Sequence, residues 1–219
     1  MKLNLIPLTL FCLLLSICAQ SQDCPENINK LPMYGGVKKC KEQIEDDKEF
    51  LATCDKTGKS RRELSEHFVM RGWQYLRSGK PDTSMMRFNQ AWLLDSLNVE
   101  AYWGFADLLG MQQKFKESIP FFERFLKANP HNARVLQDES TTYGNLFYQT
   151  KDKKYLEACI TCLKNAAAIE PQNGQLYGLL TNAYSYYMQR DSARKYFKIA
   201  EKLNSTTVTP EVKKTLENR

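Results

Sequence analysis

The chain has 219 residues and a formal net charge of +6, with 31 basic side chains against 25 acidic ones. Lysine and glutamate alternate without a five-residue run of one sign, which argues against nucleic acid as a partner. The length suits one domain with a sizeable core after a leader is set aside.

The leader comes first in chain order. Lys2 supplies a positive start, and Leu3 to Ile17 is apolar apart from Asn4, Pro7, Thr9, Cys12 and Ser16. Ala19, Gln20 and Ser21 then offer small residues at the spacing a signal peptidase reads. A signal peptide over 1–21 is expected, and with it an exported protein: periplasmic, outer-membrane associated or secreted, in the style of a Gram-negative bacterium. No later segment approaches the roughly 20 apolar residues of a membrane-spanning helix. Cys18 raises a lipid anchor as an alternative, although Ile17 stands where a lipoprotein cysteine normally follows a small residue.

Residues 22–64 read as an N-terminal extension and a capping helix. Pro25, Pro32 and Gly35-Gly36 keep 24–36 irregular, and Val37, Ile44, Phe50 and Leu51 recur at near-helical spacing from about Val37 to Asp55. Five cysteines lie outside the leader: Cys24, Cys40, Cys54, Cys159 and Cys162. Export permits disulfides, but an odd count leaves at least one thiol unpaired within the chain. On one unbroken helix Cys40 and Cys54 would be about 21 Å apart, beyond the roughly 7 Å reach of a disulfide. They are not expected to pair with each other. The other pairings stay open.

From 65 to 207 the text repeats. Phe88 and Phe122 are 34 residues apart, as are Leu163 and Phe197; the step between these pairs is 41. Such a period means stacked units, each too small to bury its own apolar face. In the first helix of each unit a bulky residue precedes a small one and another bulky one: Phe68, Gly72, Tyr75; then Tyr102, Ala106, Leu109; then Leu136, Ser140, Tyr143; then Tyr177, Thr181, Tyr184. In the second helix the small residues are Ser84, Ser118, Cys159 and Ala193, with the 88–122–163–197 ladder four positions later and Ala91, Phe125, Ala166 and Ala200 three beyond that. Spacings of four and three put all three rows on one helical stripe. Ser96, Pro130, Pro171 and Ser205 close the units, which gives 65–98, 99–132, 133–173 and 174–207. The seven extra residues of the third unit fall between Pro130 and Cys159. Placed in its first helix, they make about two turns and return the same face inward. Tyr143, Phe147 and Tyr148 are then expected to project. Thr209, Pro210 and Glu211 start a short closing helix in 208–219.

This small–aromatic–small–proline pattern resembles the tetratricopeptide repeat over roughly two-thirds of the chain. The resemblance implies an all-α fold: a right-handed α-solenoid of about four helix-turn-helix repeats between an N-terminal capping helix and a short C-terminal helix. Phe125 departs from the usual alanine, and Ser96 and Ser205 from the usual proline. It further implies a groove, lined by the first helix of each unit, that takes a protein or peptide partner. On helical spacing the groove residues are Val69, Trp73, Trp103, Asp107, Gln137, Thr141, Asn182 and Tyr186. The family's lysine–asparagine clamp for a peptide carboxylate has Val69 and Trp73 in its places, so that specificity does not transfer.

Nothing in the text asks for catalysis, a metal or a cofactor. The two histidines, His67 and His131, lie far apart in sequence, and no glycine-rich phosphate loop is present. Cys159-Ile160-Thr161-Cys162 has redox spacing but falls inside a second helix, where a small packing residue is wanted. The expectation is a non-catalytic exported scaffold; a lipid-anchored envelope component and a thiol-redox protein are the alternatives.

Overall fold

The computed structural model describes residues 24–217, so the leader, Cys18 and the expected cleavage site lie outside the described residues. Among the described residues the regular structure is entirely helical. Two short 3-10 turns, Ile28–Lys30 and Pro32–Gly36, precede α1 (Lys41–Asp55). Four helix pairs follow: α2 (Arg61–Arg77) with α3 (Pro81–Leu94), α4 (Val99–Met111) with α5 (Phe115–Ala128), α6 (Ala133–Thr150) with α7 (Lys153–Ile169), and α8 (Gly174–Tyr186) with α9 (Arg190–Lys202). α10 (Pro210–Glu217) closes the chain. This is an α-solenoid. No described helix is long and apolar enough to cross a membrane.

Local chemistry sets the starts of the first helices. Asn98, Asn132 and Asn173 each accept a backbone N–H in the first turn of α4, α6 and α8, recurring at the same 34- and 41-residue steps. Each satisfies one of the orphan donors of a helix N-terminus. Ser60 and Glu63 form a capping box on α2, which starts that helix at Arg61, ahead of the expected boundary at Ser65.

The stripe read from the sequence is the core. Ala91, Phe125, Ala166 and Ala200 have no exposed surface. Phe88 is fully buried between two glycines: a Cβ on Gly72 would stand 2.7 Å from its ring and one on Gly104 2.3 Å. Those glycines let α2 and α4 close on a phenyl group, whose burial contributes about 1.5–3 kcal/mol. Ser84 is small for a further reason, since its buried hydroxyl donates to the Gly72 carbonyl at 2.9 Å.

The seven added residues are shared between two helices. α6 has 18 residues against 13 in α4, α7 has 17 against 14 in α5, and the turn between the pair is one residue shorter. Both helices of the third unit therefore lengthen, where the expectation put the whole addition in the first. Tyr143 and Phe147 pack against the core of α6–α8, and Tyr148 is the one of the expected three left open, 75 % exposed.

At the N-terminal end α1 begins at Lys41, four residues later than expected, because Val37–Cys40 is extended and Cys40 occupies the cap position. Cys40 is disulfide-bonded to Cys24, with Cα atoms 5.1 Å apart, and Cys54 is free. The irregular segment itself covers the end of the solenoid. Ile28 and Tyr34 are buried, and the buried Asn89 side chain donates to the carbonyls of Asn29 (3.0 Å) and Leu31 (2.9 Å). At the other end Val212 and Leu216 of α10 pack on Ala193 and Phe197. Both ends of the repeat stack are thus closed, as a solenoid requires.

Candidate functional site

Two pockets open on the face shared by the first helices. One, of about 320 Å³, is lined by Leu76 of α2, by Ala106, Asp107, Gly110 and Met111 of α4, by Phe115 and Phe122 of α5, and by Asp138, Thr141, Thr142 and Asn145 of α6. The second, of about 350 Å³, lies between α6, α7 and α8, with Phe147, Leu156, Leu163, Leu179 and Ala183 in its wall and Tyr148, Lys151 and Tyr186 at its mouth. Thr141 and Asn145 line both pockets. The two are lobes of one groove that meets across α6.

The eight expected groove residues divide between wall and core. Asp107, Thr141, Asn182 and Tyr186 line the lobes. Val69 and Trp103 are buried in core clusters, and Trp73 packs against both of those clusters. The Trp73 ring lies 5.2 Å from Phe88 and 4.8 Å from Trp103, edge-on to each. Gln137 lines neither lobe; its carbonyl accepts from Ser140 and Thr141. The missing part of the groove is one turn further along each first helix. Met111, Asn145 and Tyr186 occupy equivalent places in successive units, and Tyr186 is the only one of the three that spacing picked out. Met111 is 61 % and Tyr186 65 % exposed. Met111 and Tyr186 thus flank the polar Asn145, one large exposed side chain at the edge of each lobe.

The electrostatics of the two lobes differ. In the first, Trp103 Nε1–H donates to Asp138 at 3.1 Å, and Arg134 lies over the Trp103 ring, 5.1 Å from its centroid. Burial pushes the Asp107 carboxyl up to about 7, and the neighbouring Asp138 carboxylate pushes the same way; Arg134 and the Trp103 N–H oppose them. Burial likewise raises Asp138. Two carboxylates thus share one indole donor and one guanidinium. In the second lobe the charge is positive: Lys151 lies over the Tyr148 ring, 4.3 Å from its centroid. Asn182 is braced from behind, donating to Thr207 O at 3.0 Å and accepting from Thr209 N at 3.2 Å.

The dithiol spacing leads elsewhere. Cys159 and Cys162 are buried and free. Burial pushes Cys159 up to about 12, and burial together with the Glu139 carboxyl raises Cys162 further. A reactive thiol needs the opposite shift. Cys162 Sγ donates to the buried Glu139 at 3.2 Å, a pairing on facing helices that linear spacing does not reveal. Cys24, Cys40 and Glu42 lie within metal-site distance of one another, but both sulfurs are held in the disulfide and offer no thiolate.

No protein-family model matches the sequence, and no curated protein matches it. Solved structures do match. PilF of Pseudomonas aeruginosa is 19 % identical with a TM-score of 0.58, over 72 % of this chain and 68 % of its own. MamA is 21 % identical with a TM-score of 0.57, over 64 % and 78 %. A thermophilic TPR protein of Thermus thermophilus is 22 % identical with a TM-score of 0.54, over 69 % and 79 %. The fold is that of a tetratricopeptide-repeat protein. At these identities the likeness carries the fold of the solenoid, and the lobes have to be read from this chain's own side chains.

Proposed function

We propose that this protein is a non-catalytic exported scaffold that binds a protein or peptide partner in the two-lobed groove across α6. The observation that carries this reading is the continuity of the lobes through Thr141 and Asn145, with Met111, Tyr148 and Tyr186 exposed along them. Helical-repeat proteins of this fold support a role in protein interaction. A groove that takes an extended or helical segment uses such apolar anchors for affinity and its polar wall for register. Export is supported by the apolar N-terminal sequence and by the Cys24–Cys40 disulfide, which persists in oxidising compartments.

Site-specific photo-crosslinking tests the reading. A photoreactive phenylalanine analogue at Tyr186 is expected to trap a discrete protein adduct in the native host, and the same group at exposed Glu201 of α9 is not. Thr141→Trp, which fills the exposed lip between the lobes, is expected to abolish the Tyr186 adduct. Equal trapping from Glu201, or trapping unaffected by Thr141→Trp, contradicts the assignment.

A further inference from the structure

The groove is polarised, and the polarity restricts what fits it. One lobe carries Asp107 on α4 and Asp138 on α6, with only the Trp103 N–H and Arg134 facing them. A third negative charge there meets two half-buried carboxylates, whereas a cation relieves their mutual repulsion and replaces lost hydration. The other lobe is walled by Phe147, Leu156, Leu163 and Leu179 and carries Lys151 at its mouth. A cation entering that lobe meets a like charge; an apolar or aromatic side chain meets Tyr148 and Tyr186.

Resting on the groove reading above, we propose that the occupant is a polypeptide segment that seats a lysine or arginine side chain between Asp107 and Asp138. An apolar or aromatic side chain of the same segment fills the Tyr148–Tyr186 lobe. The lobes lie on either side of α6, and packed helices stand about 8–10 Å apart. At about 3.3 Å per residue in an extended chain, the two anchors are roughly two to four positions apart. Charge at the first lobe sets the direction in which the segment lies, and apolar burial at the second supplies most of the affinity.

Binding in this lobe is also tied to pH. Apart from the partner's own cation, the charged groups facing Asp107 are Asp138 and Arg134, both on α6; α2 and α5 contribute Leu76, Phe115 and Phe122 to this lobe. A cation that requires the ionised Asp107 binds about tenfold more weakly at pH 6 than at pH 8.

The test is to pan the purified, oxidised chain against a random twelve-residue display library. The selected sequences are then measured by calorimetry as terminally blocked, histidine-free peptides. A basic residue two to four positions from an aromatic or aliphatic one is expected in the selected set. Replacing that lysine with norleucine is expected to weaken binding tenfold or more at pH 8, and Asp107→Asn with Asp138→Asn to erase the difference. The peptide-side substitution keeps the test valid should the double variant fold poorly. Peptides that lack a basic residue, or bind equally with norleucine, yet are blocked by Thr141→Trp, overturn the inference and leave the groove standing. An empty selection, or peptides indifferent to Thr141→Trp, overturns both.

Discussion

The two ends of the first-helix face are built on the same repeat, yet they are treated in opposite ways. From α2 as far as the Trp103 turn of α4 the face is sealed. Trp73 and Trp103 turn edge-on to each other, Phe88 presses into Gly72 and Gly104, and Phe105 and Phe121 meet edge-to-face beyond. From α6 onward the corresponding residues are smaller, and Gly144, Thr141 and Asn145 leave space that longer helices carry outward. Equivalent positions in a repeat share a direction but not a depth. Side-chain volume decides whether a slot becomes wall or core.

The contrast can be broken most forcefully at Trp103. If the sealed half is core, Trp103→Ala costs about 3–5 kcal/mol and lowers the unfolding midpoint in chemical denaturation. A groove residue would leave the midpoint almost unchanged. Next comes a pair of glycines. Gly104→Ala drives a methyl into the Phe88 ring and is expected to cost about 1–3 kcal/mol. Gly144→Ala, whose Cβ meets only Cys159 Sγ at 3.9 Å, is expected to gain up to about 1 kcal/mol from helix propensity. Equal effects in thermal unfolding would erase the distinction between the halves.

A smaller effect lies where sealed and open regions meet. Because the folded state holds the Asp107 proton up to about pH 7, Asp107 adds stability at low pH relative to its ionised form, and that stability is lost as pH rises through 7. Asp107→Asn is therefore expected to be near neutral at pH 3 and stabilising by about 1–2 kcal/mol at pH 8. A variant with the same stability difference at both values would mean that Asp107 is well solvated. The smallest expected change in stability is at Tyr186→Ala, within about 0.5 kcal/mol for so exposed a side chain, although binding in the adjacent lobe is lost. Unfolding of that variant would make Tyr186 a packing residue.

The repeat was legible because small and bulky residues alternate at fixed steps, and those steps are what the core uses. Phe88, Phe122, Leu163 and Phe197 needed no structure to be placed. The groove was half legible. Spacing picked a face on which pockets open, and with it the lining residues Asp107, Thr141, Asn182 and Tyr186, but it could not tell that Trp73 and Trp103 are spent on each other. Asp138 escaped because it follows Gln137 by one residue, which is about a 100° step on a helix. Met111 and Asn145 were recoverable, since carrying Tyr186 back through the repeat lands on both. The Cys24–Cys40 bridge was not, because the irregular path of 24–40 obeys no period. The share of the added residues taken by α7 was hidden for a related reason: a length difference fixes a total and not its partition.

The central claim is that the open half of the first-helix face, and not the sealed half, meets the partner. Amide chemical-shift mapping during titration with a peptide selected from the display library tests it most directly. The account predicts perturbations clustered at Asp107, Met111, Thr141, Asn145 and Tyr186, with Val69 and Trp73 unmoved. Perturbations centred on Val69 and Trp73, or on the second helices α3, α5, α7 and α9, would contradict it.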